Sequence, residues 1–206
     1  MLSILTVTVP ASSTALTDLA SVQAELSLPG SEDAGYLQTQ IAASSAAIAS
    51  WCSRVFARET VQEVWRPEIP TGFLMLARVP VASVTSVIED GVTLSASDYE
   101  VDPASGFLWR LSSDQRSWWR ARKITVTYAG GYILPPAQGR TLPEDIQRAC
   151  VLMVAAQYNA RGRDPMLRSE AAQDVGQVSY LDPRAGMEAM PPQAAALLQP
   201  YRAVIV

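Results

Sequence analysis

The chain has 206 residues, of which 49% are hydrophobic and 17% charged, and its formal net charge is −4 at pH 7. This composition is typical of a folded protein with a sizeable core and excludes a disordered chain. The acidic balance argues against a surface built to neutralise phosphates. The sequence contains no histidine, which removes the usual general base and the commonest metal ligand. We therefore expect no metal and no cofactor.

The two cysteines and the apolar runs indicate where the chain is made and used. Cys52 and Cys150 each lie in an apolar helical pattern, so we expect two buried, reduced thiols and no disulfide. The N-terminus lacks the cationic start of a signal peptide. The longest apolar run, 149–156, is far shorter than the ~20 residues that span a bilayer. These patterns predict a cytoplasmic chain with no membrane partner.

The first quarter of the chain predicts an arm followed by two helices. Residues 1–16 are β-prone and then rich in Ser and Ala, which predicts an extended arm. Apolar residues then recur at helical spacing over 17–26, capped by Thr17, and over 31–56, capped by Ser31. The apolar stripe of the second helix consists of Leu37, Ile41, Ile48, Trp51 and Val55.

The apolar period changes from 3.6 residues to 2 after Arg58, which predicts a block of short antiparallel strands. Turn-forming residues separate the strands, and Asp90-Gly91 is the strongest hairpin signal among them. The predicted strands are 60–65, 72–78, 81–89, 99–101, 106–111 and 123–128.

A third helix and a tail follow the strands. The helix is predicted to begin with a capping box that joins Thr141 to Glu144. Residues 162–190 show no clean period and predict an arm that is flexible or ordered by a partner. A short helix over 191–200 and a β-prone tip end the chain.

Together these elements predict an α+β fold in which a small antiparallel helical core of three to four helices carries an inserted antiparallel β subdomain and an extended C-terminal arm. This architecture suits a subunit that grips its neighbours better than it suits an enzyme. The expected boundaries are 1–16 for the N-terminal extended arm, 17–58 and 141–160 for the helical core, 59–136 for the β subdomain and 161–206 for the C-terminal arm.

Four carboxylates that cluster in sequence, Asp98, Glu100, Asp102 and Asp114, raise the hypothesis of a hydrolase. The first three would share one solvated face of a strand. Neither a histidine nor a Gly-rich phosphate loop nor a GxSxG motif accompanies them. We therefore expect a protein that is not an enzyme.

The segment 114–123 is the densest cationic and aromatic stretch of the chain. Such a segment can neutralise and stack on a nucleic acid, and the same residue types are enriched at protein contact hot spots. A hairpin loop whose tryptophans pack locally is the third interpretation. All three remain open, and a nucleic-acid-binding module is the alternative function. The candidate contact residues are Arg116, Trp118, Trp119, Arg120, Arg122 and Lys123.

The last six residues are the strongest candidate for a docking segment. Four apolar, β-favouring residues left in water would be an aggregation liability. A strand added to a partner's sheet edge would bury these side chains and satisfy the backbone. A frayed terminus is the alternative interpretation. The candidate docking residues are Tyr201, Arg202, Ala203, Val204, Ile205 and Val206.

Four motifs occur in a fixed order along nearly the whole chain. They are Ala15–Leu26, the Ala/Ser-rich helix Ile41–Val55 with Cys52-Ser53-Arg54, the pair Arg78–Val84 and Thr127–Tyr132, and the pair Leu142–Ala149 and Leu197–Arg202. This ordered set resembles the head-tail connector (adaptor, or head-completion) proteins of long-tailed bacteriophages and gene transfer agents.

The resemblance implies a structural virion protein that forms a ring, dodecameric in the family, between the portal and the tail or stopper. The implied partners are the portal protein, neighbouring copies, a tail or stopper protein, and DNA that passes through the lumen without sequence-specific binding. The implied location is the head–tail interface of the virion, and the host cytoplasm during assembly. On this basis we expect the tip 201–206 to contact the portal and the helical core to form the contacts between copies in the ring. The β subdomain is expected to form the outer or tail-facing surface.

Overall fold

The structure is a computed structural model that describes residues 3–30, 33–161, 169–172, 176–179 and 190–203. The chain divides into two compact units, and the predicted α+β fold class is confirmed. Residues 1–14 and 55–142 form the β unit, and residues 15–54 and 143–206 form the helical unit.

The β unit contains two antiparallel sheets. Its strands are β1 (Ser3–Val9), β2 (Glu59–Trp65), β3 (Leu74–Met75), β4 (Val81–Glu89), β5 (Val92–Thr93), β6 (Tyr99–Val101), β7 (Phe107–Ser112), β8 (Gln115–Ser117) and β9 (Ile124–Gly130). The larger sheet has the order β1-β2-β9-β4-β5, and the smaller has the order β3-β7-β6 with β8 also paired to β7. A 3₁₀ turn, Ala96–Asp98, precedes β6.

Alternation of side chains explains how the larger sheet covers its core. Val61 and Trp65 of β2 point inward with Val126 and Tyr128 of β9, while their sequence neighbours are less buried. The period of two seen in the sequence is therefore the period with which strands place side chains on opposite faces. The same core includes Leu74, Leu76, Val81, Val87, Leu108, Trp119, Ala121 and Ile124.

The predicted hairpin at Asp90-Gly91 is confirmed. Asp90 has φ 47° and Gly91 has φ 90°, the positive values that a tight two-residue hairpin turn requires. Glu89 pairs with Val92 directly across the turn.

The structure differs from the strand predictions at the N-terminus. Residues 1–16 were expected to be an extended arm, but Ser3–Val9 form the edge strand β1, which pairs antiparallel with β2 from Ser3↔Trp65. Leu5 packs on the core of the β unit. The sequence did not indicate this pairing because the partner strand lies more than fifty residues away.

The strand predicted over 72–78 is shorter in the structure, where β3 consists of Leu74–Met75.

The helical unit contains α1 (Leu19–Leu26), α2 (Ala34–Trp51), α3 (Glu144–Asn159) and α4 (Pro192–Leu198), with a 3₁₀ turn at Gln199–Tyr201. Part of the predicted arm has regular structure, because β10 (Ser169–Ala172) pairs antiparallel with β11 (Gly176–Ser179). One core cluster of this unit consists of Val22, Leu37, Ile41, Val151 and Val154.

The helix caps differ from the sequence predictions in two places. Asp18, not Thr17, caps α1, because its carboxylate accepts the backbone N–H of Ser21 at 2.8 Å. The predicted Thr141–Glu144 capping box was wrong: α3 begins after Pro143 without a side-chain cap, and the Thr141 hydroxyl accepts a bond from a loop backbone N–H. The third predicted cap, Ser31, lies outside the described residues.

Both cysteines are buried and free within the helical unit. Burial raises the pKa of each thiol to about 11, so both are protonated at neutral pH. Within the described ranges, no helix is both long and apolar enough to cross a membrane.

Candidate docking surfaces

The C-terminal segment is anchored in the helical unit as far as Ala203. Ala194 and Leu198 of α4 are buried, and the 3₁₀ turn leads from the helix to Tyr201, which is half-buried. Arg202 and Ala203 follow and are exposed. The remaining candidate docking residues, Val204, Ile205 and Val206, lie outside the described residues.

Two contacts join this segment to the C-terminal end of α2. The backbone N–H of Ala203 donates a hydrogen bond to the carbonyl of Cys52 at 2.9 Å. The guanidinium of Arg202 lies 4.7 Å from the centroid of the Trp51 ring. A cation at this distance is attracted by the face of an indole, and a positive charge is favourable near a helix C-terminus.

The end of α2 explains why the Cys52 carbonyl needs a partner. Ser53 has φ 50°, which ends the helix, and the N–H of Arg54 turns back to the carbonyl of Ala49 at 3.0 Å. The last carbonyls of a helix have no partner within it, and Ala203 satisfies that of Cys52. Sequence analysis assigned Trp51 only to an apolar stripe and missed this contact.

The segment 114–123 does not present one continuous cationic and aromatic surface. Trp119 is fully buried, and its indole N–H donates to the carbonyl of Leu108 at 3.2 Å. Local packing is therefore the role of Trp119. Trp118, by contrast, is 56% exposed.

Two carboxylates lie beside this segment, one at the Arg116 side chain and one at the backbone of Arg122 and Lys123. Arg116 lies 4.0 Å above the ring of Trp109 and 3.4 Å from a carboxylate oxygen of Glu100. Asp90 accepts the backbone N–H groups of Arg122 and Lys123 at 3.2 Å and 2.8 Å. The side chains of Arg120, Arg122 and Lys123 are exposed. The negative charges of Glu100 and Asp90 reduce the capacity of the segment to neutralise phosphates.

An exposed apolar groove lies beside Trp118 on the β unit. The loop 66–73 and Trp118 line an open groove of about 720 Å³. Ile69 is 76% exposed and Phe73 is 49% exposed, and Met75 is also exposed nearby in the chain. Large apolar side chains exposed together are typical of surfaces that contact another protein.

Aromatic rings continue from this groove along the smaller sheet. The rings of Phe73 and Phe107 meet edge to face at 4.9 Å, and Phe107 lies 5.8 Å from Trp109. The Arg116–Glu100 ion pair flanks Trp109. An aromatic surface with an Arg-containing rim has the composition of a protein contact surface.

The acidic cluster has structural roles. The Asp98 carboxylate accepts the backbone N–H of Ser95 at 3.0 Å, which caps the 3₁₀ turn. Hydrogen bonds from the Ser105 hydroxyl and the Ala104 N–H hold the pKa of Asp102 below its usual range. Asp114 lies in the β7–β8 turn with φ 62°. Among the residues that the structure describes, no group of His, Cys, Asp and Glu is arranged to hold a metal ion.

Among the residues that the structure describes, Glu63 has the most buried carboxylate, and no sequence motif marks it as a site. Its oxygens accept bonds from the Tyr128 hydroxyl, from the Ala77 N–H at 2.8 Å and from the Ser3 hydroxyl at 3.0 Å. Burial and the neighbouring carboxylate raise the pKa of Tyr128, so its hydroxyl stays protonated and donates. The position of Glu63 between the inward Val61 and Trp65 was the available signal. This network joins β1, β2 and β9 of the β unit.

The chain is similar to known proteins over most of its length. The model of a family described as head completion protein matches residues 15–204. A comparison with curated proteins gives no match.

Three solved structures are similar over 98% of this chain and 97% of theirs. A chain in the neck of a native GTA particle, computed with C12 symmetry, has 18% identity and a TM-score of 0.57. One in the neck of an empty GTA particle, computed with C6 symmetry, has 19% identity and a TM-score of 0.59. A third, in the virion of a native gene transfer agent particle, has 18% identity and a TM-score of 0.58. At these identities the likeness is one of fold.

Proposed function

Because this chain belongs to the head completion protein family, we propose that it is a structural virion protein that acts as a head-tail connector. In this role it forms a ring between the portal and the tail or stopper and extends the DNA channel. The observation that carries the proposal is the family match over residues 15–204, which covers the helical unit as far as residue 204 and residues 55–142 of the β unit.

A ring of twelve copies is part of the proposal. The similar chains in GTA necks come from particles computed with C12 and C6 symmetry, and both symmetries are compatible with a dodecamer. A ring also requires two different surfaces on each copy that meet head to tail. We assign the helical unit to contacts between copies, and the β unit with its exposed groove to the outer or tail-facing surface.

The segment Tyr201–Val206 is the proposed portal-docking element. Its described part is exposed at Arg202 and Ala203, and the chain continues for three more apolar residues. Twelve tails acting in parallel would hold the ring by avidity even if one tail binds weakly.

The charges of the chain suit a channel through which DNA moves. The net charge is −4, so the chain as a whole does not attract phosphates. Several arginines are already paired with carboxylates, among them Arg78 with Glu59 and Arg110 with Glu89, both at 3.1 Å. DNA would therefore pass without being retained, and we expect neither sequence-specific binding nor catalysis.

Native mass spectrometry of the purified chain, alone and mixed with the portal protein of the same particle, tests the proposal. A multi-copy ring on the portal is the expected result. If the chain does not bind the portal but forms a complex with DNA, the connector function would be overturned in favour of a nucleic-acid-binding module. The burial of Trp119 and the Arg116–Glu100 ion pair weigh against that alternative.

A further inference from the structure

We infer that Trp51 and the C-terminal turn of α2 form a clasp that sets the position from which the docking tail leaves the protein. The clasp consists of Trp51 and Cys52 on α2 and of Arg202 and Ala203 on the tail. This inference rests on the proposed docking role of residues 201–206 and adds a positioning residue, Trp51, that lies outside the tail.

The backbone part of the clasp makes Ala203 an extension of the helix cap. The carbonyls of Ile48, Ala49 and Ser50 accept bonds from the three residues that follow α2. The Cys52 carbonyl accepts its bond from Ala203, a residue about 150 positions later in the chain. Cys52 is fully buried, so losing this donor would leave a carbonyl of a buried residue without a protein partner.

The side-chain part of the clasp adds an electrostatic contact at the same place. Arg202 stands 4.7 Å from the centroid of the half-buried Trp51 ring, at the negative end of the α2 dipole. The guanidinium therefore gains from the indole face and from the helix terminus together. These contacts fix the residue that directly precedes Ala203.

Fixing Ala203 shortens the tether of the docking tip. Val206 lies three residues after Ala203 in the sequence, and three residues span at most about 11 Å. Without the clasp, the last fully buried anchor among the described residues is Leu198, and Val206 lies eight residues after it. Eight residues reach up to about 29 Å, so the tip would sample a much larger volume and its effective concentration at a docking site would fall.

The variant Trp51→Leu tests this inference in the full-length chain. We expect its affinity for the purified portal ring to fall by about threefold to tenfold, because a cation–π contact and the order of the tail are both lost. The variant Trp51→Phe keeps an aromatic face and should recover most of the affinity. Hydrogen exchange should detect the same change without a partner, because the Ala203 amide should exchange faster in Trp51→Leu.

A matched control separates positioning from a general loss of stability. Arg161 lies 4.5 Å from the centroid of the Tyr36 ring in the same unit and pairs with Asp33. The variant Arg161→Gln removes a comparable contact away from the tail. It should lower Tm slightly while leaving portal affinity within about twofold.

A double variant separates the clasp from direct contact between Arg202 and the portal. If Arg202 acts through Trp51, combining Trp51→Leu with Arg202→Gln should weaken binding no more than the stronger single change. Additive losses, or portal affinity that is unchanged in Trp51→Leu, would overturn the positioning role while the connector function stands. A wild-type chain that does not bind the portal would overturn both.

Discussion

The hydroxyl of Tyr128 donates a hydrogen bond to the buried carboxylate of Glu63 and accepts the backbone N–H of Arg78 at 2.9 Å. The two residues lie on neighbouring strands and point into the same core. A buried carboxylate is costly unless it is hydrogen-bonded, so the Tyr128 hydroxyl, together with the Ala77 N–H and the Ser3 hydroxyl, offsets the cost of burying Glu63.

Removing that hydroxyl should destabilise the protein without changing its shape. We expect Tyr128→Phe to lower the free energy of unfolding by about 1.5–3 kcal/mol, the range for a hydrogen bond to a charged group. Urea denaturation followed by tryptophan fluorescence measures the change. Tyr99→Phe is the matched control, because Tyr99 packs on the same core and its hydroxyl makes no hydrogen bond among the described residues. Equal effects of the two substitutions would contradict the assigned role of Tyr128.

Truncation of the adjacent residues Trp118 and Trp119 should change the free energy of unfolding by very different amounts. Trp119→Ala should lower the free energy of unfolding by about 3–5 kcal/mol, because it leaves a large cavity in the β-unit core. Trp118→Ala should change it by less than about 0.5 kcal/mol, since the side chain is mostly exposed. Denaturant unfolding of both variants checks the pair. If Trp118→Ala also weakens binding to the tail-side protein, the groove lined by 66–73 is the contact surface.

Ending the chain after Ala203 should abolish portal binding while leaving the fold intact. The described contacts of the tail with α2 end at the Ala203 N–H, so deletion of 204–206 preserves them. We expect Tm to stay within about 2 °C, a shift that corresponds to less than about 1 kcal/mol in a chain of this length. Differential scanning calorimetry and native mass spectrometry with the portal measure the two effects. Ile205→Asp, which keeps the length, should reproduce the loss of binding. If the truncated chain still binds the portal, the portal contact lies outside residues 204–206.

Acid should weaken the helical unit through Asp33. Hydrogen bonds from the Tyr158 hydroxyl and from Arg161 lower the pKa of this carboxyl below its ordinary value of 3.8. A lowered folded pKa means that the stabilisation is present above the unfolded value and is lost as the pH falls through the folded value. Asp33→Asn should therefore flatten the dependence of Tm on pH below about pH 5. Tyr158→Phe, which removes the first donor, should flatten it in part. A steeper dependence in Asp33→Asn would be the contrary result.

Tertiary contacts decided several features of the candidate docking surfaces. The tip 201–206 could be proposed from sequence because a run of four apolar, β-favouring residues, 203–206, would be an aggregation liability if it were exposed to water. The contact between Trp51 and Arg202 could not, because it joins residues about 150 positions apart. Likewise, Trp118 and Trp119 are adjacent residues of the same type, and nothing in the sequence indicates which ring is buried. Only the packing of the β unit shows that Trp119 is buried and Trp118 is exposed.

The sequence by itself determined the fold class, the order of the four helices, the main strands and the hairpin at Asp90-Gly91. These features depend on local periodicity and on the positive φ of two turn residues, both of which are encoded within a few positions. Only the tertiary structure decided that Ser3–Val9 join a sheet, that Asp18 replaces Thr17 as a cap, and that Glu63 is buried with Tyr128. Each of these depends on the exact geometry of the backbone or on a partner distant in the chain, and neither leaves a periodic signal in the sequence.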